Sequence, residues 1–269
     1  MITRSCLLFA LLFAASPRWA PAADEAPAPV ALAPPDDAPI STPGFAPGEE
    51  IVFDIDYLSV RMGRASLRVG EPEGAIWPVI CRGQTDGIAS LFDIREHYVS
   101  YWDADTGVSR GNDLNAIEVG DRHTDRARFD RENGVATVQV MRKGKVRERT
   151  HEVPRDVHDL ASALLALRAR PPAPGGRVEI PVFWGGDLFT LGAEGEGTEL
   201  VDTPAGRFDT LRIKLRLGFT DRFRTDRDSH LWLSNDARRI PVKASADFAV
   251  GNVTATLVAY RPGGQLAVR

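Results

Sequence analysis

Leu211-Arg212-Ile213-Lys214-Leu215-Arg216-Leu217 alternates apolar and cationic residues without a break, and Phe219 carries the apolar phase further. A β-strand points successive side chains to opposite faces. A period of two therefore sets Leu211, Ile213, Leu215, Leu217 and Phe219 on a core and Arg212, Lys214 and Arg216 in water. A helix would scatter the same residues around its circumference. The pattern recurs on both sides of this stretch. Upstream, Ile51, Phe53, Ile55 and Tyr57 oppose Asp54 and Asp56, and Ala65, Leu67 and Val69 oppose Arg64, Ser66 and Arg68. Downstream, Ile240, Val242, Ala244 and Ala246, then Val253, Ala255, Leu257 and Ala259, close the chain in the same style.

The turns between these runs agree. Asn133-Gly134 is a hairpin signal because both residues tolerate positive φ. Lys143-Gly144-Lys145 and Gly251-Asn252 read as two further hairpin turns, and Gly185-Gly186 and Gly195 also fall in turn contexts. About a dozen or more strands at this spacing predict a sandwich or barrel. One segment breaks the rhythm: Asp159 caps a helix with Leu160, Ala163, Leu164 and Leu167 on one stripe, stopped by Arg168, Arg170 and Pro171-Pro172. The loop from Pro171 to Gly176 divides the chain into two halves of one β structure. The expected fold is mostly β, a strongly curved antiparallel sheet or incomplete barrel or sandwich, with one amphipathic α-helix packed over an open end or face.

Ahead of the strands lie two segments of other composition. Arg4, the apolar run Cys6 to Ala15 and the small residues Ala20-Pro21-Ala22 read as a signal peptide over residues 1–22. The run is about half the ~20 apolar residues a membrane-spanning helix needs. Residues 23–44 carry Pro27, Pro29, Pro34, Pro35, Pro39 and Pro43 among alanines and acids, an extended linker. Residues 45–269 are then one domain. The expectation is a periplasmic or secreted envelope protein with no transmembrane helix after cleavage.

The chain has 33 Lys+Arg against 37 Asp+Glu, a formal charge of −4. Removing residues 1–22 takes away two arginines and no acid, leaving about −6. That balance argues against nucleic acid as the partner, since phosphate binding wants a positive field. Cys6 leaves with the signal, so Cys81 stays alone, no intrachain disulfide forms, and Cys81 reads as a buried, inert thiol.

No catalytic signature stands out. Asp121, His123 and Asp125 alternate along a strand but are interleaved with Arg122, Arg126 and Arg128 and read as a charged, solvated face. His158 beside the helix cap reads as a surface residue, and His97, His151 and His230 are isolated. Carboxylate pairs such as Glu49 and Glu50, Asp54 and Asp56, or Asp226 and Asp228 leave open a glycan-acting hydrolase or lyase, with Asp54 or Asp56 as acid and base. The more pointed feature is basic. Arg212, Lys214 and Arg216 form a ladder that Lys243 joins from a neighbouring strand, and Arg142, Lys143, Lys145, Arg147 and Arg149 form a second cluster. Such clusters suit an anionic headgroup or acidic glycan; charge on a wet strand face also prevents edge-to-edge pairing.

Four stretches carry a resemblance. They are Phe45-Ala46-Pro47-Gly48-Glu49 followed by Phe53, Tyr57, Gly63 and Ala65; Asp159-Leu160-Ala161-Ser162 through Leu167-Arg168; Thr203-Pro204-Ala205-Gly206-Arg207-Phe208; and Leu231-Trp232-Leu233-Ser234 through Arg238-Arg239-Ile240-Pro241-Val242. In this order they resemble an exported bacterial family known as domain of unknown function 3108. The resemblance implies an envelope-associated antiparallel β protein and brings no catalytic residues with it. The expectation is a non-catalytic binder of a lipid or glycan, or an aid to envelope assembly. Its ligand would meet Arg212, Lys214, Arg216, Lys243 and Trp232, with no cofactor and no metal. The oligomeric state is left open.

Overall fold

The structure is a computed structural model describing residues 44–218, 229–248 and 251–264. The signal segment, the linker up to residue 43, Phe219, Asp226 and Asp228 lie outside the described residues. Fourteen strands form one sheet. The first eight are β1 (Glu50–Tyr57), β2 (Val60–Val69), β3 (Ile76–Thr85), β4 (Arg95–Asp103), β5 (Val108–Glu118), β6 (Asp121–Asp130), β7 (Val135–Arg142) and β8 (Lys145–Glu152). After the helix α1 (Leu160–Ala169) come β9 (Arg177–Trp184), β10 (Asp187–Thr203), β11 (Gly206–Gly218), β12 (Ser229–Ser234), β13 (Pro241–Phe248) and β14 (Gly251–Arg261). A 3-10 turn over Gly87–Phe92 joins β3 to β4.

Every neighbour in the order β8-β7-β6-β5-β4-β3-β2-β1-β14-β13-β12-β11-β10-β9 is sequential except β1 and β14. The fold is two antiparallel meanders joined by that one long-range pairing, in which Ile55 faces Ala255 and Glu50 faces Arg261. Register shifts at Val52/Phe53, Ile55/Asp56, Ser100/Trp102, Gly195/Gly197 and Trp232/Leu233 bend the strands. The sheet curls without closing. Its two ends meet through side chains: Phe183 of β9 lies 5.9 Å edge-on from Phe129 of β6 and 5.3 Å from His151 of β8. Edge strand β8 is almost wholly exposed, and its alternating charges keep that edge from pairing with another chain.

The alternation sets the phase of the core as expected, with Ile51, Phe53, Ile55, Leu67, Ile213, Leu231 and Leu257 buried together. Cys81 is buried among them, and burial pushes its thiol well above the ordinary value. The helix differs from expectation. Eight of its ten residues are buried, on all sides, so α1 is a plug inside the curl. The physical reason is composition: Leu-Ala-Ser-Ala-Leu-Leu-Ala-Leu-Arg-Ala has no wet face, and a helix apolar all round belongs in a core. Gly195 likewise is no turn residue. It lies within β10, where a Cβ would come 2.3 Å from the Ala173 carbonyl oxygen, so the loop after α1 seats against bare backbone.

Two buried polar knots fix α1. At its N-terminus, Asp159 Oδ1 accepts from the Ala161 and Ser162 amides at 2.9 and 3.0 Å, and Oδ2 accepts from the hydroxyls of Ser100 and Ser109. At its C-terminus, Arg168 forks onto Glu49 at 2.7 and 2.8 Å, with both side chains out of contact with water. The same guanidinium donates to the carbonyls of Arg238 and Arg239, and Tyr260 donates to Glu49.

Candidate functional site

The wet face of β1 to β7 carries a groove of about 860 Å³. Cross-strand register builds it. One wall is the row Val52, Ser66, Arg82, His97, Asn115, Thr124 and Met141, each opposite the next on the neighbouring strand. The other is Arg64, Gln84, Arg95, Ile117 and Arg122. The row between them, Ala65, Gly83, Glu96, Ala116 and His123, turns its side chains to the other face and leaves backbone as the floor.

Four arginines line this groove: Arg64, Arg82, Arg95 and Arg122. Arg64 pairs with Asp54, which Arg61 also holds, and Arg95 pairs with Asp93. Among the described residues Arg82 and Arg122 have no ion-pair partner. Partial burial and then the Arg82 charge hold the His97 imidazole below its ordinary value. The groove therefore offers two uncommitted guanidinium groups, amide and hydroxyl donors from Gln84, Asn115, Ser66 and Thr124, and apolar contact from Val52, Ile117 and Met141.

The ladder foreseen from sequence lies on the other meander. The structure brings three of its five residues together. Trp232 stands in register between Arg212 and Lys243, whose cationic groups lie 5.6 and 5.0 Å from its ring centre. The Trp232 indole donates to Glu199 at 2.9 Å, and Arg212 pairs with Glu196 at 2.9 Å and lies 3.7 Å from Glu199. Lys214 is one rung along, opposite His230 and Glu194. Arg216 is a further rung away, exposed and 3.9 Å from Glu194. Acids of β10 thus face this ladder, a match that required the β10–β11 register to be seen.

Two polar readings change. His123 and Asp125 are not on a solvated face: His123 is 1% exposed, and both its ring nitrogens and Asp125 Oδ1 are buried without hydrogen-bond partners. The signal was present in the phase, because His123 and Asp125 share parity with the core residues Ala127 and Phe129. His158 is buried as well, hydrogen-bonded to Ser162, and burial lowers its imidazole to about 3. Asp54 is engaged by Arg61 and Arg64. No group of three or more His, Cys, Asp or Glu among the described residues is placed to hold a metal. Sequence reasoning missed the groove because its cations come singly, one per strand.

A family model for a protein of unknown function, DUF3108, matches residues 52–258. The chain belongs to the DUF3108 family. A search of curated proteins finds no match. Among solved structures, a β-barrel-like protein of the DUF1849 domain of unknown function from Brucella abortus aligns at a TM-score of 0.55 and 10% identity, over 81% of this chain and 98% of its own. That likeness is one of fold alone. A Bacteroides fragilis protein provisionally described as exported, with a YmcC-like fold, aligns at 0.33 and 11% over 81% of this chain and 97% of its own. A Parabacteroides distasonis protein provisionally described as a lipoprotein aligns at 0.34 and 13% over 81% and 98%. No helix among the described residues of this DUF3108 member is long and apolar enough to cross a membrane.

Proposed function

We propose that this protein is an exported, non-catalytic binder of an anionic, partly apolar envelope component, held in the groove across β1 to β7. The observation that carries the reading is the pair Arg82 and Arg122, exposed guanidinium groups without ion pairs in a groove large enough for a small ligand. Guanidinium forks match phosphate and carboxylate oxygens, and the apolar wall residues suit a hydrocarbon or sugar ring. The ladder around Trp232 is the site to compare; the tryptophan is 6% exposed beneath Lys243 and Arg212, and Arg212 is paired with Glu196.

The test is titration calorimetry with two soluble probes, dihexanoyl phosphatidylglycerol below its micellar concentration and an acidic oligogalacturonide. One of them should bind, and Arg82→Glu with Arg122→Glu should weaken it by at least about tenfold, whereas Arg216→Glu and Lys243→Glu should not. Absence of binding by both probes, or loss confined to the Arg216 or Lys243 variants, would remove the groove as the site.

A further inference from the structure

Nine large apolar side chains are exposed among the described residues, and eight lie on or within two residues of turns at one end of the sheet. They are Leu58 and Val60 at the β1–β2 turn, Leu91 and Phe92 in the 3-10 turn, Val119 at β5–β6, Met141 and Val146 around Lys143-Gly144, and Leu188 after Gly185-Gly186. The first three turns are physically joined. The Asp86 amide donates to the Met62 carbonyl at 3.0 Å, and the Val119 amide donates to the Phe92 carbonyl at 3.1 Å. Leu91 is 86% exposed. The turns at the opposite end, where Gly44 and Gly264 also lie, are acidic and polar, with Glu71, Glu73, Asp105 and Glu132 exposed.

Backbone conformation makes the apolar tips harder to dismiss. Leu58 and Val119 occupy positive φ, at 50° each. That region is unfavourable for bulky residues and worst for β-branched ones, whereas Asn, Asp and Gly enter it readily. Val119-Gly120 stands where Asn-Gly would make a stronger hairpin turn. Folding alone therefore does not account for an exposed valine there, and strain retained at a surface tip points to a use.

Charge says what the tips meet. Asp54, Asp86 and Asp93 near this end are ion-paired to Arg61, Arg64 or Arg95. Arg122, Lys143 and Lys145 have no ion pair among the described residues, nor do Asp56, Asp121, Asp187 and Asp247, but Lys143 and Lys145 are both exposed at the tip of one hairpin, the β7–β8 turn next to Val119. Apolar tips beside a locally basic hairpin, Arg142-Lys143-Gly144-Lys145 with no acid in it, fit an anionic lipid surface. We infer that this end of the sheet docks on anionic bilayers, with Leu58, Leu91, Phe92 and Val119 entering the headgroup boundary and Lys143 and Lys145 facing the lipid charge. The docking stands apart from the groove ligand: it needs a surface, and of the eight tip residues only Met141 lines the groove, whereas Leu58, Leu91, Phe92 and Val119 do not.

Co-sedimentation of the full chain with phosphatidylcholine vesicles, with and without roughly a third phosphatidylglycerol, tests it. Residues 1–43 are the same in every variant, so differences report on the tips. Wild type should bind the anionic vesicles, and Leu91→Asp with Phe92→Asp should weaken binding by at least about tenfold. Lys143→Glu with Lys145→Glu should do the same at low salt only. Leu58→Asn with Val119→Asn keeps the fold testable: it should hold or raise Tm while weakening vesicle binding. Tip variants that bind as wild type does would overturn the inference, as would wild type remaining in the supernatant. So would a concentration-dependent dimer abolished by the tip variants without any vesicle binding, which would assign the tips to a second copy.

Discussion

Asp125 lies on the inner face of β6 beside a small space of about 50 Å³ lined by Leu114, Val138, Val140, Phe183 and Trp184. Burial raises its carboxyl to about 6, against a smaller opposing pull from Arg142. His123, two residues earlier, is lowered to about 4 by burial and then by the same arginine. The signs oppose one another. Between about pH 4 and about pH 6 folded Asp125 holds a proton that the unfolded chain has released, so its contribution improves as pH falls. Folded His123 lacks a proton that the unfolded chain has taken up below about pH 6.5, so its contribution worsens over the same window. Wild-type stability should accordingly vary little from these two groups. Asp125→Asn should gain up to about 3 kcal/mol near pH 7, converge with wild type below about pH 4, and expose the acid loss due to His123 and His158. Urea unfolding across that range reads the outcome, and an Asn variant less stable than wild type at neutral pH would count against a charged, unsatisfied Asp125. The inward phase of these residues was legible from their parity with Ala127 and Phe129. Their lack of partners was not, because it depends on what Phe183 and Trp184 bring from the other end of the sheet.

At the scale of elements, α1 shows how a short helix is specified by its ends. Ten residues are too few to hold a helix in water, so its stability comes from the surroundings. Asp159 and Ser162 form a capping box, and Asp159 also accepts two buried hydroxyls from β4 and β5. Burial pushes its carboxyl up, while those hydrogen bonds pull it down. Asp159→Ala removes the cap and strands the Ser100 hydroxyl, while Ser109 keeps its bonds to Gly111, a loss of roughly 2–4 kcal/mol. Asp159→Asn keeps an acceptor and should lose clearly less; the two urea midpoints decide, and equal losses would sink the capping account. The start and stop of this helix were readable in Asp159, Arg168 and Pro171-Pro172. Its placement was not, because a four-residue stripe looks amphipathic until Ala161, Leu165 and Ser162 are also found buried.

Across the whole molecule, three of the stretches that resembled the family converge on one ion pair. Glu49 comes from the first, Arg168 from the helix, and the Arg238 and Arg239 carbonyls from the stretch around β13. Tyr260 of β14 completes the shell, and burial followed by the Glu49 charge pushes its phenol up to about 12. The pair ties both meanders to the plug. Glu49→Ala would leave Arg168 buried without its counter-charge and should cost about 3–5 kcal/mol in a single cooperative transition. Glu49→Leu combined with Arg168→Met should recover most of that loss. Two separate unfolding transitions in Glu49→Ala would show instead that the halves fold independently.

The sequence by itself determined the β class, the hairpin turns, the core face of the cleanly alternating strands and the presence of one capped helix, because period-two alternation and glycine turns act over a few residues; it misassigned the face of His123 and Asp125 in β6 and the place of Gly195. It also placed an abundance of cations on wet faces, from which the proposed lipid or glycan ligand was drawn. The tertiary structure alone decided which cations are free. Arg212 and Arg216 share one face of β11 yet meet acids from β10, whereas Arg82 and Arg122, on two separate strands, have no ion-pair partner among the described residues. Charge pairing across a sheet depends on register, and the shift between Gly195 and Gly197 that sets Glu196 beside Arg212 arises only when β10 pairs with β11, so neither strand read alone shows it.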